Sequence, residues 1–485
     1  MKTIHTLIQH LEVISIHGRD DAEVRGLCFD SREAAPGSLF VAQKGTQVDG
    51  HRFIAQVEAQ GACCIVLENL PETLSENVCY VQVADTHRAL AGLAAAFYDQ
   101  PSAQLTLVGI TGTNGKTTTV TLLHRLFTAL GYKAGLLSTI ENKIGEEVLP
   151  ATHTTPDALE VQRLLRRMVD AGCTHCFMEV SSHAIVQQRV AALHFAGGIF
   201  SNITHDHLDY HKTFAEYIKA KKAFFDRLPA TAFVLTNADD PNGMVMLQNT
   251  RAEKHTYALK NAASDFRARI VEYAMDGMQL EMDGREVWMR LTGEFNAYNL
   301  LAIYATARLL GEDSEKVLTH LSALQAAEGR FFCIQGRNKV TAVVDYAHTP
   351  DALENVLKTI HQIRCEGQRI LTVVGCGGNR DRTKRPEMAE IAFRYSDKLI
   401  LTSDNPRFEE PAAILEDMCK GLAHEDESAY FVIENRREAI KLAVQLAQKG
   451  DVILIAGKGH EKYQDIQGVK HPFDDVEIVR NYICD

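Results

Sequence analysis

At 485 residues the chain is too long for one hydrophobic core, so two to four domains are expected. A hydrophobic content of 46% and a charged content of 24% are ordinary for a soluble globular protein, and a formal net charge of −12 argues against a nucleic-acid partner. No apolar stretch is long enough for a membrane helix, and the first residues lack the apolar segment of a signal peptide. We therefore expect a cytoplasmic protein without membrane insertion.

The first segment, to about residue 100, is predicted to contain short strands separated by helical patterns. Apolar runs predict strands at 24–29, 38–42, 63–67 and 79–83, and a helical pattern covers 86–98. The polar sequence at 99–102 then predicts a linker.

The second segment begins with the apolar run 105–110, which leads into a glycine-rich turn that ends in lysine and threonine. Glycines allow backbone N–H groups to surround phosphate oxygens, and the helix that follows presents its positive end. We therefore predict a nucleoside triphosphate site, with Lys116 reaching the β- and γ-phosphates and Thr117 near Mg²⁺. The general motif has glycine where Ile110 stands, so a glycine-rich turn with a solvated lysine is the alternative. The loop consists of Gly112, Thr113, Asn114, Gly115, Lys116, Thr117 and Thr118.

Two further predicted strands of this segment, at 175–180 and 198–202, lead to candidate metal ligands. Glu179 suits Mg²⁺, which prefers one or two carboxylates together with waters and phosphates, and His207 could be a second ligand. Taken alone, Glu179 could be a charge at a helix start and His207 a loop imidazole.

The rest of the second segment offers polar groups with two possible interpretations. The lysines at 219, 221 and 222 have the pattern of a solvated helical face. Asn299 lies on a helix predicted at 297–310, and it could be a surface group. Arg330 could also be a surface group, or it could hold a phosphate, because guanidinium pairs with phosphate in a two-pronged geometry.

The third segment, from about residue 333, alternates strands with helical stretches, which predicts βαβ units and a mostly parallel sheet. Its strands are predicted at 340–345, 369–374, 398–402, 430–432 and 452–456. Polar clusters follow four of these strands, at 345–348, 375–378, 404–407 and 457–461. Open α/β sheets bind ligands at the carboxyl ends of their strands, so the clusters predict a ligand site.

The 11 cysteines do not indicate disulfides or a metal centre. Cys64, Cys79 and Cys176 lie in apolar runs, where a thiol packs as a small hydrophobic group. Cys173 and Cys176 form a C-x-x-C pair without the second pair that a zinc site needs.

Taken together, these motifs resemble those of the bacterial Mur ligases, which add amino acids to the UDP-N-acetylmuramoyl peptide precursor of peptidoglycan. The resemblance covers essentially the whole chain and rests on 112–118, 178–183, 202–211, 329–330 and 345–350. The sequences at 30–42 and 49–51 are similar to the family's uridine-nucleotide-binding domain.

The resemblance implies an α/β fold of three domains. Residues 1–100 would bind the UDP-muramoyl substrate, and residues 101–332 would form a central ATP-binding domain with a P-loop-type, mostly parallel sheet. Residues 333–485 would form a Rossmann-like domain that binds the incoming amino acid.

The family's roles can be carried over to matching positions. Lys221 falls where the family has a carbamylated lysine, which overturns the solvated-face interpretation for that residue. The implied cofactors are two Mg²⁺ ions, with ATP as co-substrate. Catalytic roles fall on Lys116, Glu179, His207 and carbamylated Lys221, and metal ligation on Thr117, Glu179, His207 and Lys221. ATP would contact the loop 112–118 together with Asn299, Arg330 and Asp345. The muramoyl peptide would contact Phe29, Ser31, Thr46, Gln47, Val48, His153, Thr154, Thr155, Ser181, Gln187 and Arg189.

The sequence at 404–407 resembles the signature of the family members that add meso-diaminopimelate. This substrate has a second amino-acid centre, and Arg407 can hold its far carboxylate with a two-pronged guanidinium. The implied diaminopimelate site consists of Arg380, Asp404, Asn405, Pro406, Arg407, Gly457 and Glu461. Many relatives have aspartate at the position of Asn379, which puts the local hydrogen bonding in question.

The expected partners are UDP-MurNAc-L-Ala-D-Glu, meso-diaminopimelate and ATP, bound by a monomer. The expected reaction activates the γ-carboxylate of D-Glu as an acyl phosphate, which the amine then attacks. One alternative is the same reaction with L-lysine or another diamine, and a more distant one is folylpolyglutamate synthesis. From a different class, a P-loop protein could use ATP as a conformational switch, although this leaves the clusters of the third segment unexplained. A purely structural protein is the weakest alternative, because it has no need of phosphate chemistry.

Overall fold

The computed structural model describes residues 2–45, 48–204, 206 and 208–483. Thr46, Gln47 and His207 of the predicted sites therefore lie outside the described residues. The chain forms three large sheets, one in each of the three predicted segments, with helices packed on them. Within the described ranges, no helix is both long and apolar enough to cross a bilayer.

The first segment contains a five-stranded sheet that is parallel except for one edge strand. The prediction of one strand at 24–29 is wrong, because this stretch forms two short strands that pair in different sheets. Between them, the Arg25 N–H donates to Gly37 O. In sheet order the strands are Val13–His17, Cys79–Val83, Cys64–Leu67, Ser38–Val41 and Gly26–Cys28. A small sheet pairs Lys2–Thr3 with Glu23–Val24, and the α-helices are Ile4–Ile8, Ile54–Ala59 and Thr86–Phe97.

An 11-stranded sheet forms the second segment, with the strand before the glycine-rich loop near its centre. Seven neighbouring strands are parallel, and antiparallel strands extend both edges. The order is Glu147–Pro150, Glu141–Ile144, Ala134–Leu137, His175–Glu179, Thr106–Thr111, Gly197–Phe200, Phe233–Asn237, Glu253–Ala258, Phe266–Ala274, Gly277–Met282 and Arg285–Met289. The α-helices are Lys116–Ala129, Ala158–Asp170, Ser182–Val186, Leu208–His211, Phe214–Asp226, Gly243–Met246, Glu294–Leu309 and Ser314–Ala323.

The third sheet has six strands, and all but its first edge strand are parallel, as predicted. The strands are nearly continuous apolar runs because helices cover both faces of the sheet. Their order is Phe332–Gln335, Thr341–Asp345, Val452–Ala456, Ile370–Val374, Lys398–Thr402 and Tyr430–Ile433. A hairpin of Tyr463–Ile466 and Val469–Pro472 accompanies the helices Pro350–Ile363, Lys384–Arg394, Pro411–Cys419, Arg436–Leu446 and Asp475–Ile483.

Helix starts follow the capping preferences of polar side chains. Asp85 accepts from two backbone N–H groups at the start of Thr86–Phe97, and Thr349 caps the helix whose first residue is Pro350. The helix predicted at 297–310 begins earlier, at Glu294, behind the positive-φ residue Gly293. The predicted linker at 99–102 leads into the 3₁₀ helix Pro101–Gln104. The other 3₁₀ helices of the described residues are Ser31–Glu33, Gly50–Phe53, Arg337–Lys339, Lys420–Leu422 and Glu427–Ala429.

Candidate active site

The glycine-rich loop joins the strand Thr106–Thr111 to the helix Lys116–Ala129. A Cβ on Gly112 would lie 1.9 Å from Ser201 Oγ, and one on Gly115 would lie 2.5 Å from Asn299 Oδ1. Gly115 also has a φ of +87°, so both positions need glycine. Ile110 is fully buried and belongs to the strand Thr106–Thr111, not to the loop, and extended strand backbone does not need a glycine.

Lys116 and Thr117 begin the helix and face the loop. Lys116 Nζ donates to Gly112 O at 2.9 Å and to Thr113 O at 2.8 Å. Burial lowers the pKa of Lys116, and the nearby carboxylates of Glu179 and Asp206 oppose that shift. Thr117 Oγ1 lies 3.3 Å from Arg330 Nη2, so the predicted phosphate and Mg²⁺ groups adjoin each other.

Arg330 enters this region from the junction of the second and third segments. Its guanidinium lies 4.5 Å from the centroid of the Tyr346 ring. Its Nε is buried and has no hydrogen-bond partner among the described residues. A cation held in this way has donor capacity left for an anionic ligand.

Glu179 ends the central strand His175–Glu179 and is 1% exposed. Its Oε1 accepts from the Thr139 backbone N–H at 2.8 Å. Its Oε2 is buried without a partner within the described part of the chain. Because a buried carboxylate oxygen without a donor is costly, this atom fits a cation, and Mg²⁺ suits a carboxylate beside a phosphate loop.

The three lysines of the helix Phe214–Asp226 have different environments. Lys219 has a 77% exposed side chain, and Lys222 forms an ion pair with Asp226. Lys221, in contrast, is 1% exposed, and its Nζ donates to Gly112 O at 2.8 Å. Burial, with Lys116 nearby, places the pKa of Lys221 well below its usual value. The solvated-face interpretation is therefore wrong for Lys221.

A cleft of about 510 Å³ extends from the glycine-rich loop to the third segment. Asn299, Arg330 and Asp345 all line it. Asp345 accepts from the backbone N–H groups of Phe331 and Ala347, at 2.6 and 2.8 Å, and burial raises its pKa.

Sequence reasoning missed Asp351, which joins the second and third segments at this cleft. Asp351 Oδ2 accepts from Asn114 Nδ2 at 2.9 Å and from Thr204 Oγ1 at 3.3 Å. The contact brings the third segment onto the glycine-rich loop itself. Its only sequence signal is its place directly after the stretch 345–350, which is part of the family resemblance.

The residues predicted to hold the peptide end of the substrate meet beside Glu179. Thr155 Oγ1 donates to Glu179 O at 2.8 Å and accepts from the Ser181 N–H at 3.1 Å. Arg189 donates to Thr155 O at 2.7 Å and, with two nitrogens, to Gln187 Oε1.

The other predicted substrate residues lie farther along these surfaces. Thr154 accepts from Thr139 Oγ1, and His153 is exposed and contacts Thr152. Phe29 and Ser31 lie next to the strand Gly26–Cys28 in the first segment, and Val48 is 50% exposed.

On the third sheet, two of the predicted clusters meet at the carboxyl ends of their strands. Asn405 Nδ2 donates to Glu461 Oε2 at 2.7 Å. Gly457 has a φ of +117°, and a Cβ there would lie 2.5 Å from Asp404 Oδ2, so glycine allows the close approach of that carboxylate. The residues 404–407 and 457–461 therefore form one site.

Arg407 lies at the edge of this site, after Pro406, with a φ of +52°. Its Nη1 donates to Gly378 O at 2.8 Å. Arg380 is exposed and comes from the same loop as Gly378. Asn379 between them has a φ of +51°, a conformation that asparagine tolerates, and its Oδ1 accepts from the Phe408 N–H at 2.9 Å. An aspartate could accept the same bond.

Comparisons with known proteins agree along the whole chain. Residues 110–307 match the Mur ligase middle domain, residues 329–459 the Mur ligase glutamate ligase domain, and residues 23–98 the Mur ligase family catalytic domain. A UDP-N-acetylmuramoyl-L-alanyl-D-glutamate–2,6-diaminopimelate ligase from Cytophaga hutchinsonii is 58% identical over 481 residues, which are 99% of each chain. A protein of the same name from Phocaeicola vulgatus is 54% identical over 99% of each chain. A solved structure of such a ligase has a TM-score of 0.71 at 32% identity and covers 99% of this chain and 98% of its own.

Proposed function

The chain belongs to the Mur ligase family, and from that membership we propose that it adds meso-2,6-diaminopimelate to UDP-MurNAc-L-Ala-D-Glu at the expense of ATP. Full-length relatives that are named as diaminopimelate ligases support this assignment. Within the chain, the main structural support for the proposal is that Lys116 and Lys221 both donate a hydrogen bond to Gly112 O. This carbonyl belongs to a glycine-rich loop next to a carboxylate oxygen that lacks a partner among the described residues.

The reaction would proceed in two steps. A γ-carboxylate oxygen of D-Glu attacks the γ-phosphorus of ATP, ADP leaves, and an acyl phosphate forms. The amine of diaminopimelate then attacks the acyl carbon, gives up its proton, and expels phosphate to leave an amide. Lys116 and Arg330 would neutralise charge on the transferred phosphoryl group. Closure of the segments around the substrates would exclude water, which would otherwise hydrolyse the acyl phosphate.

Mg²⁺ would be held by Thr117 and Glu179, with a second ion at His207 and carbamylated Lys221. Bound there, it would supply positive charge to the phosphate oxygens. The buried, partnerless oxygen of Glu179 supports the first position, and His207 lies outside the described residues. Carbamylation of Lys221 requires a neutral amine, and the lowered pKa of this buried lysine favours one.

The substrates would be distributed over three domains. Residues 1–100 would bind the uridine end, 101–332 ATP and the peptide, and 333–485 diaminopimelate. At the third sheet, Arg407 and Arg380 would hold the far carboxylate, and Asp404, Glu461 and Gly457 the far ammonium. We further propose that the protein acts as a monomer in the cytoplasm.

Phosphate release tests this proposal. The purified chain is incubated with ATP, Mg²⁺ and UDP-MurNAc-L-Ala-D-Glu, and each candidate amino acid is added in turn. We expect release that depends on both the UDP substrate and diaminopimelate, with a tripeptide product detected by mass. Release that prefers L-lysine would identify the alternative diamine reaction, and hydrolysis that ignores the UDP substrate would identify a P-loop switch protein.

A further inference from the structure

Lys458 is a buried charge at the third sheet that the proposed reaction does not yet use. It follows the strand Val452–Ala456 and is 0% exposed. Lysine is almost never fully buried unless its ammonium is paired, because desolvation of the charge is costly. Its partners therefore indicate what it does.

The ammonium of Lys458 lies among the predicted amino-acid ligands. Nζ donates to Asn405 Oδ1 at 3.0 Å and to Glu461 Oε2 at 3.1 Å. It also lies 4.0 Å from Asp404 Oδ1. The Tyr463 ring centroid, 5.6 Å away, completes its surroundings on another side. Lys458 thus lies within 4.0 Å of three residues of the predicted site.

These bonds fix the orientation of two side chains. Asn405 Oδ1 accepts from both Lys458 and the Asp465 backbone N–H, which lies at 2.8 Å. With the amide oxygen on that side, Asn405 Nδ2 must face Glu461, where it donates to Oε2 at 2.7 Å. Among the described residues, both side chains that donate to Glu461 use the same oxygen, and the other oxygen, Oε1, is left for an ammonium.

The charges of the cluster also favour one kind of ligand. Asp404 and Glu461 carry two negative charges, and Lys458 offsets one of them. Arg407 follows Asn405 by two residues and adds a positive charge at the edge of the same site. A site balanced in this way suits a zwitterionic centre, with one ammonium and one carboxylate, better than a bare ammonium.

We propose that Lys458 is a positioning and specificity residue of the amino-acid site, which orients Asn405 and Glu461 and balances one carboxylate so that the site selects a zwitterionic centre. This inference rests on the proposed function and deepens it. Without Lys458, Asp404 and Glu461 lose the positive charge that pairs with them directly, and the positive charges that remain nearby are Arg407 and Arg436, the second of which is paired with Asp475. The excess negative charge favours the bare ammonium of L-lysine relative to diaminopimelate.

The test compares Lys458→Met and Lys458→Gln with wild type, and uses Lys470→Met as the control. Lys470 is exposed on the neighbouring hairpin, and its Nζ lies 4.2 Å from the centroid of the same Tyr463 ring. Lys458→Gln has a neutral polar side chain, and it allows the same measurements if the methionine variant does not fold. Diaminopimelate-dependent phosphate release by wild type is established first, because its absence would refute the proposed function and not the role of Lys458.

In both neutral variants we expect the KM for diaminopimelate to rise about 30-fold or more, as for the loss of one member of a buried charge pair. The KM for ATP should stay within about twofold, and the kcat/KM ratio of diaminopimelate to L-lysine should fall about tenfold. A merely structural role does not predict a change in this substrate ratio. Folded variants with unchanged KM and substrate ratio would overturn the proposal.

Discussion

Replacement of Lys221 by alanine is the sharpest test of the phosphate site. Alanine removes the 2.8 Å bond from Nζ to Gly112 O, but this carbonyl still accepts from Lys116 at 2.9 Å. The lost bond is worth about 0.5–1.5 kcal/mol. Loss of about three buried methylenes adds about 2.4 kcal/mol. The variant no longer has the cost of burying a desolvated amine, and this gain opposes both losses. The free energy of unfolding should therefore fall by less than about 4 kcal/mol, and the protein should still fold.

Activity should respond far more strongly than stability. If a carbamate on Lys221 positions charge at the phosphoryl group, its loss should lower kcat by about 10²–10³-fold, as for other preorganised electrostatic groups. A short carboxylic acid such as acetate or formate can enter the space left by the side chain and restore part of the rate. Phosphate release is measured for Lys221→Ala across a series of such acids. With ¹³C-bicarbonate, the wild type should show a carbamate carbon resonance that the variant lacks.

Lys219→Ala is the matched control, because Lys219 is on the same helix with a 77% exposed side chain. We expect stability within about 0.5 kcal/mol of wild type and unchanged kcat. Full activity of Lys221→Ala would refute the reasoning. A folded, inactive variant that no acid rescues would instead assign the role to the lysine amine.

Two other substitutions test the amino-acid site and a buried histidine. Arg407→Ala should raise the KM for diaminopimelate at least about 30-fold and leave the KM for ATP unchanged. The control Arg382→Ala, which changes a 67% exposed side chain, should alter neither KM. An unchanged KM for diaminopimelate in Arg407→Ala would remove Arg407 from the site. His124, 6% exposed on the helix after the glycine-rich loop, has a pKa that burial lowers to about 4. Because this lies below the unfolded value of about 6.5, stability is lost as pH falls from about 6.5 towards 4. When the pH falls from 7.5 to 4.5, the free energy of unfolding measured in urea should therefore decrease by about 2–3 kcal/mol less in His124→Leu than in wild type. The control His10→Leu, at an exposed site, should behave like wild type. Equal decreases in His124→Leu and wild type would contradict the shifted pKa.

The elements that the sequence predicted best are those determined by local patterns. The strands Lys398–Thr402 and Val452–Ala456 coincide with the predicted ranges, because continuous apolar runs mark strands that are buried on both faces. The glycine-rich loop was equally clear, since its backbone conformation restricts the residues that fit.

What the sequence did not predict depends on distant parts of the chain. The antiparallel strands Gly277–Met282 and Arg285–Met289 extend the large sheet, but they lack a continuous apolar run. Composition and periodicity do not distinguish Lys221 from Lys219 and Lys222, and only the family resemblance singled it out, because its burial results from contact with a loop more than a hundred residues earlier. Asp351 was missed for the same reason, because its partners come from the second segment. Lys458 lies within the predicted cluster 457–461, but its role was missed because Asn405 follows a different strand.

The separation of the two candidate centres on different sheets has a consequence for how such an enzyme can diversify. The phosphate loop, Glu179 and Lys221 belong to the second sheet and its helices, whereas residues 404–407 and 457–461 belong to loops after two interior strands of the third sheet. Under the proposed assignment, substitutions at the third sheet would change which amine is attached while the residues that activate the carboxylate stay the same. An inhibitor directed at the surroundings of Gly112 would then contact groups that take no part in recognition of the amine, and exchange of one amino acid for another in the cell wall would not weaken its binding.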